Sequence, residues 1–128
     1  MSAPTFARPK VTPEAVARAL LWMCAIAAAL AAISGVGTVL TADPGTRFVE
    51  LWREVGFATF SILFAAVAWA PRKTPTGVWV ALIANKLILT AVGIAWAASA
   101  AGAGSAMWWD GALTVLLVAA FALTRSPR

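Results

Sequence analysis

Histidine and tyrosine are absent from the chain, and cysteine occurs once. Without histidine there is no imidazole to serve as a base or a metal ligand near neutral pH. The single Cys24 excludes an internal disulfide. Charge is also scarce. Only 12% of the residues are charged and five are acidic, against about 25% charged in a soluble domain. Hydrolase chemistry needs a base held beside a nucleophile, and no such arrangement is visible. The Gly-rich Ala101–Ser105 segment has no phosphate-binding pattern and no following lysine. No catalytic residue, cofactor-binding residue or metal ligand is therefore assigned, and the chain is not read as an enzyme.

What the chain has in excess is apolar residues, 62% of 128. They gather in nearly uncharged runs over Ala19–Ala42, Val55–Pro71, Leu87–Trp109 and Gly111–Leu123. A membrane-spanning helix needs about 20 such residues. Extended to plausible ends, the runs predict helices over residues 17–40, 51–70, 77–100 and 107–124. The expected fold is all-α, an integral membrane bundle of four transmembrane helices forming one domain over 17–125. Residues 1–16, with Pro4, Pro9 and Pro13, are expected to be a flexible cytoplasmic tail. Thr12-Pro13-Glu14-Ala15 carries the signals of a helix start, a hydroxyl cap followed by proline at the first helical position. A cleaved signal peptide is the rival reading of the first run, but its apolar core exceeds the usual length of about 7–15 residues.

Orientation follows from the basic residues. Arg8, Lys10, Arg18, Arg72, Lys73, Arg125 and Arg128 fall on one side of a four-span arrangement. Arg47 and Arg53 fall on the other, beside Asp43, Glu50 and Glu54. Both termini are therefore expected in the cytoplasm. The tryptophans form two belts in the same arrangement, with Trp22, Trp69 and Trp79 at inner ends and Trp52, Trp96, Trp108 and Trp109 at outer ends. The net charge of +5 is scattered over helix ends rather than gathered on a face, which argues against nucleic acid as a partner.

Small and weakly polar residues recur at helical spacing: Cys24, Ala27, Ala31, Ser34, Thr38 and Thr41; Glu54, Ala58, Ser61, Ala65 and Ala68; Lys86, Thr90, Gly93, Ala97 and Ala100. Such stripes let membrane helices approach closely, and they are read as the bundle interior. Lys86 stands out. A lysine near mid-membrane costs about 2.5–3.5 kcal/mol on insertion scales and needs a partner. Lys86, Glu54, Asp110 and Asn85 form the candidate intramembrane polar site. Lys86 is expected to reach outward to Glu54, with Asp110 as the alternative and Asn85 sharing the network. Glu50 and Asp110 have a plainer reading as first-turn acids favoured by the helix dipole. Arg53 is expected to meet Glu50 or lipid headgroups, and Cys24 to be a small buried residue.

Arg53-Glu-Val-Gly-Phe-Ala-Thr-Phe through Ala70-Pro-Arg-Lys, with Trp109-Asp-Gly-Ala-Leu, resembles small four-helix bacterial membrane proteins of the DoxX-like kind. The resemblance implies a small helical bundle and no particular biochemical role. Small multidrug-resistance transporters are similar in layout only, because their pattern needs an acid inside the first span and Glu14 precedes it here. Chemistry of the vitamin-K-epoxide-reductase type needs cysteine pairs. Abundant alanine, arginine in excess of lysine and the lack of tyrosine suggest a high-GC bacterium, hence its inner membrane. The expected role is a multi-pass accessory or structural component acting by association, with the lipid bilayer and a homo-oligomer or larger membrane complex as partners. The alternative is a small transporter or ligand-binding bundle built around Lys86.

Overall fold

The computed structural model describes residues 11–126. It contains four helices, α1 (Pro13–Thr41), α2 (Arg47–Trp69), α3 (Thr76–Trp96) and α4 (Ala103–Arg125). Each is long and apolar enough to cross a membrane. Among the described residues there is no strand. The tail expected over residues 1–16 lies outside the described residues as far as residue 10. From Pro13 the chain is already helical, four residues before the expected boundary at 17.

The local signals explain most boundaries. At the head of α1 the Ala15 N–H donates to Thr12 Oγ1 at 3.2 Å, with Pro13 at the first helical position, so one amide left over at the helix start is satisfied. Pro75 stands immediately before α3. The start of α4 departs from expectation. It begins at Ala103, four residues earlier than 107, because Gly102 takes φ +81° at the cap and Gly104 continues into the helix. A left-handed φ suits glycine, which has no Cβ to clash. One consequence is that Asp110 is no first-turn acid. It lies seven residues into α4, about 10 Å along its axis. At the other side of this link α3 stops at Trp96, short of the expected 100, so Ala97 and Ala100 leave the helical stripe and are exposed.

Packing pairs α1 with α2, α3 with α4, and α1 with α4. Among the described residues α2 and α3, although joined by a short loop, make no comparably close backbone approach. The pairings rest on small residues. A Cβ at Gly93 would lie 2.9 Å from the Met107 backbone, and one at Gly111 would meet Thr90 Cγ2 at 3.5 Å. Gly35 of α1 lies directly against the Glu54 carboxyl group of α2. Ser61 Oγ donates to the Ala25 carbonyl at 2.9 Å, tying α2 to α1. Of the expected stripes, Cys24, Glu54, Ala68, Lys86 and Gly93 are buried and Ala27, Ala31, Ser61, Ala65 and Thr90 half-buried, while Ser34, Thr38, Thr41 and Ala58 are exposed.

The bundle has two unlike halves. Toward the end that carries the termini the core is closed by Ala17, Leu21, Cys24, Phe64, Trp79 and Leu117, among others. Trp79 is fully buried against Phe121, with ring centroids 5.5 Å apart. Its ring thus faces the bundle interior, because it shares the α3 face that carries Leu82 and Lys86 inward. Ion pairs and hydrogen bonds fasten this end. Arg72 Nε meets Glu14 Oε2 at 3.0 Å and Arg72 Nη2 donates to the Ser126 carbonyl at 3.4 Å. Arg125 Nη2 donates to Thr76 Oγ1 at 2.9 Å. The opposite half of the bundle is not filled.

A polar cavity between the helices

At the boundary between the two halves sits Lys86, 2% exposed at the middle of α3. Its Nζ donates to Asp110 Oδ1 at 2.8 Å and lies 4.2 Å from the centre of the Phe60 ring. The partner differs from the expected Glu54, and the helix arrangement explains why. In the antiparallel α3–α4 pair, Thr90 stands beside Gly111, so Asp110 lies about one turn beyond Lys86. One turn is about 5.4 Å, a span that the lysine stem covers. The reach is toward the end opposite the termini, the direction expected, but it runs along α4 because α4 is the helix against which α3 packs. Thr90 Oγ1 donates to the Lys86 carbonyl at 2.7 Å and Thr114 Oγ1 to the Asp110 carbonyl at 2.8 Å. The two hydroxyls thus spend their hydrogens within their own helices.

Glu54 is buried as expected, its side chain 8% exposed, but it has a different partner. Arg53 Nε and Nη2 lie 3.2 and 3.1 Å from Glu54 Oε1. Arg53 Nη2 also stands 2.6 Å from Glu50 Oε2, so the expected Glu50–Arg53 contact is present. Glu54 Oε2 is buried and has no hydrogen-bond partner among the described residues. Asn85 is not brought into the site. It is exposed on the outward side of α3, because a one-residue step from Lys86 turns a helix by about 100°.

These groups line a cavity of about 380 Å³ between α1, α2 and α4, with Lys86 as the contribution of α3. Ala27, Ala31, Ser34, Gly35 and Thr38 form the α1 wall, and Arg53, Glu54, Phe57 and Phe60 the α2 wall. Trp109, Asp110 and Leu113 belong to the α4 wall. Ser34, Thr38, Arg53 and Trp109 remain exposed. The volume falls in the range of about 300–1,000 Å³ typical of small-molecule sites, and the mixture of rings with few polar groups is also typical. Among the described residues no three of His, Cys, Asp and Glu are placed to hold a metal. The α1 stripe and Lys86 pointed toward this region. The void itself had no sequence signal, because alanine and glycine serve equally where helices touch and where they leave room. Comparison of the chain with protein-family models, curated proteins and solved structures finds no match to any of them.

Proposed function

We propose that this chain is a small multi-pass membrane protein that binds a small solute in the cavity beside the Lys86–Asp110 pair. The cavity carries this reading. Four helices apolar enough for lipid surround two acids and two bases around one space, and ionisable groups inside a membrane bundle point first to a solute or ion site. A purely structural polar network would be expected to fill the space between its members.

The test uses the full chain in lipid nanodiscs and three aromatic probes of nearly equal size, phenethylamine, phenylacetate and phenethyl alcohol. At least one is expected to bind above the level of empty nanodiscs. Ala31→Phe, which places a ring into the cavity from α1, is expected to weaken that binding at least tenfold while the protein stays folded. If no probe binds, or Ala31→Phe leaves binding unchanged, the solute reading fails. Association then takes its place, supported by Asn85, whose amide is exposed on an apolar helix where a second copy or another membrane protein would supply its hydrogen bonds.

The membrane we propose is a bacterial plasma membrane, with both termini in the cytoplasm. Arg18, Arg72, Lys73 and Arg125 gather at the terminal end of the bundle, whereas at the opposite end Arg47 bonds the Ala42 carbonyl and Arg53 is held by Glu50 and Glu54. The excess of basic residues supports this orientation. Reporter fusions after Arg128 and at Gly45 are expected to report opposite compartments. An external C-terminus would reverse the assignment.

A further inference from the structure

We infer that the solute is an organic cation, a protonated amine on a small apolar body, and that Glu54 is its counter-charge. The inference rests on the solute-binding reading of the cavity and narrows it to one class of ligand. Four observations lead there.

The first is the unspent acceptor. The Glu54 side chain is more than nine-tenths buried at the cavity wall, its carboxyl group packed against Gly35, with Oε1 bound by Arg53 and Oε2 buried without a partner, so that a ligand reaches Oε2 only when the side chain turns away from Gly35. A buried oxygen of an ionised carboxylate that lacks a donor is costly, and a carboxylate accepts hydrogen bonds without donating any. What it requires is an N–H or O–H group. The second is the balance of charge. Glu54 and Asp110 balance Arg53 and Lys86 on the cavity wall, and Glu50, which meets Arg53 from outside the lining, brings the formal charge of the cluster to one negative in excess.

The third concerns the bases. Both are already committed. Lys86 is held by Asp110 and the Phe60 ring, and Arg53 spans Glu50 and Glu54. An entering anion would have to compete with acids in place, whereas an entering cation meets a carboxylate with one oxygen unpartnered. The fourth is the wall. Phe57, Phe60 and Trp109 contribute aromatic rings, whose faces attract cations, more strongly where water is excluded. Lys86 over Phe60 is already one example of that contact within the cavity. A hydrogen-bonding ammonium fits the carboxylate, and an aromatic or aliphatic body fits the remaining space between Ala31 and Leu113.

The experiment compares the same three probes by head group, with the full chain in nanodiscs and empty nanodiscs subtracted. Phenethylamine is expected to bind at least tenfold tighter than phenethyl alcohol and than phenylacetate. Glu54→Gln is expected to abolish that preference by weakening the amine while leaving the alcohol within about twofold. Asn85→Leu, on the outward side of α3, is expected to change none of the three. Should Glu54→Gln fail to fold, Phe57→Leu replaces it, with a severalfold loss for the amine and none for the alcohol. Equal binding of amine and alcohol, tighter binding of phenylacetate, or an amine preference that survives these substitutions would each overturn the cation assignment while leaving the cavity as a solute site. Absence of binding by all three probes would instead overturn the solute reading beneath it.

Discussion

Lys86→Leu is expected to destabilise the bundle by about 3–5 kcal/mol, and Lys86→Leu combined with Asp110→Leu by much less. Lys86 is 2% exposed and donates to Asp110 at 2.8 Å, so removing the lysine strands a carboxylate against apolar walls. Removing both charges takes away the attraction and the cost of desolvation together. The Phe60 ring adds to the loss from the lysine side, since it too faces Nζ. Unfolding of the native chain, the two single variants and the double variant by increasing SDS in mild detergent measures the cycle. The losses should be strongly non-additive for Lys86 with Asp110. For Lys86 with Glu54→Leu, which share no hydrogen-bond partner but face one cavity, the coupling should be much smaller than for Lys86 with Asp110. Additive losses for Lys86 and Asp110 would show that the pair does not hold the bundle. Coupling between Lys86 and Glu54 instead would restore the partner expected from sequence.

The partner differs from the one expected for a reason that applies to small helical bundles generally. Rise per residue places a side chain along its own helix, and both Lys86 and its upward reach were legible in that way. Which helix stands beside which is a separate question. A short loop between α2 and α3 suggests neighbours, yet α3 packs on α4 and α2 on α1. The difference lies in close approaches at Gly93, which meets the Met107 backbone, and at Gly35, which meets the Glu54 carboxyl group, and many glycines and alanines compete for that role in the sequence. The helices themselves were legible because four long uncharged runs leave few alternatives, and Thr12 with Pro13 marked one end. The start of α4 is not legible because Gly102 and Gly104 read alike as breakers, although of the two only Gly102 adopts a positive φ. Enrichment of indoles at interfaces locates Trp79 near the start of α3 but says nothing of the side it faces, and its ring is turned into the bundle.

Gly93→Ala is the second substitution with a large expected effect, and it tests the packing that brings Lys86 to Asp110. The added Cβ would lie 2.9 Å from both N and Cα of Met107. Those are backbone atoms, so no side-chain rotation relieves the contact and α3 must move away from α4. Overpacking of this kind costs about 1–3 kcal/mol, and Gly93→Leu should cost more than alanine does. Gly56→Ala and Gly37→Ala are the controls. Both lie inside helices, and a Cβ at either meets nothing within 4 Å. Each should be neutral or stabilising by up to about 1 kcal/mol, since alanine is the better helix former. The measurement is again SDS unfolding in mild detergent. Separation of the two helices has a further consequence, because Lys86 bridges to Asp110 only one turn from this contact. In the Gly93→Leu background the additional loss from Lys86→Leu should therefore shrink well below its value in the native chain. If Gly93 tolerates leucine as well as Gly56 tolerates alanine, α3 and α4 do not meet at this face. If leucine destabilises but leaves the cost of Lys86→Leu unchanged, the lysine finds its acceptor independently of how closely the two helices pack.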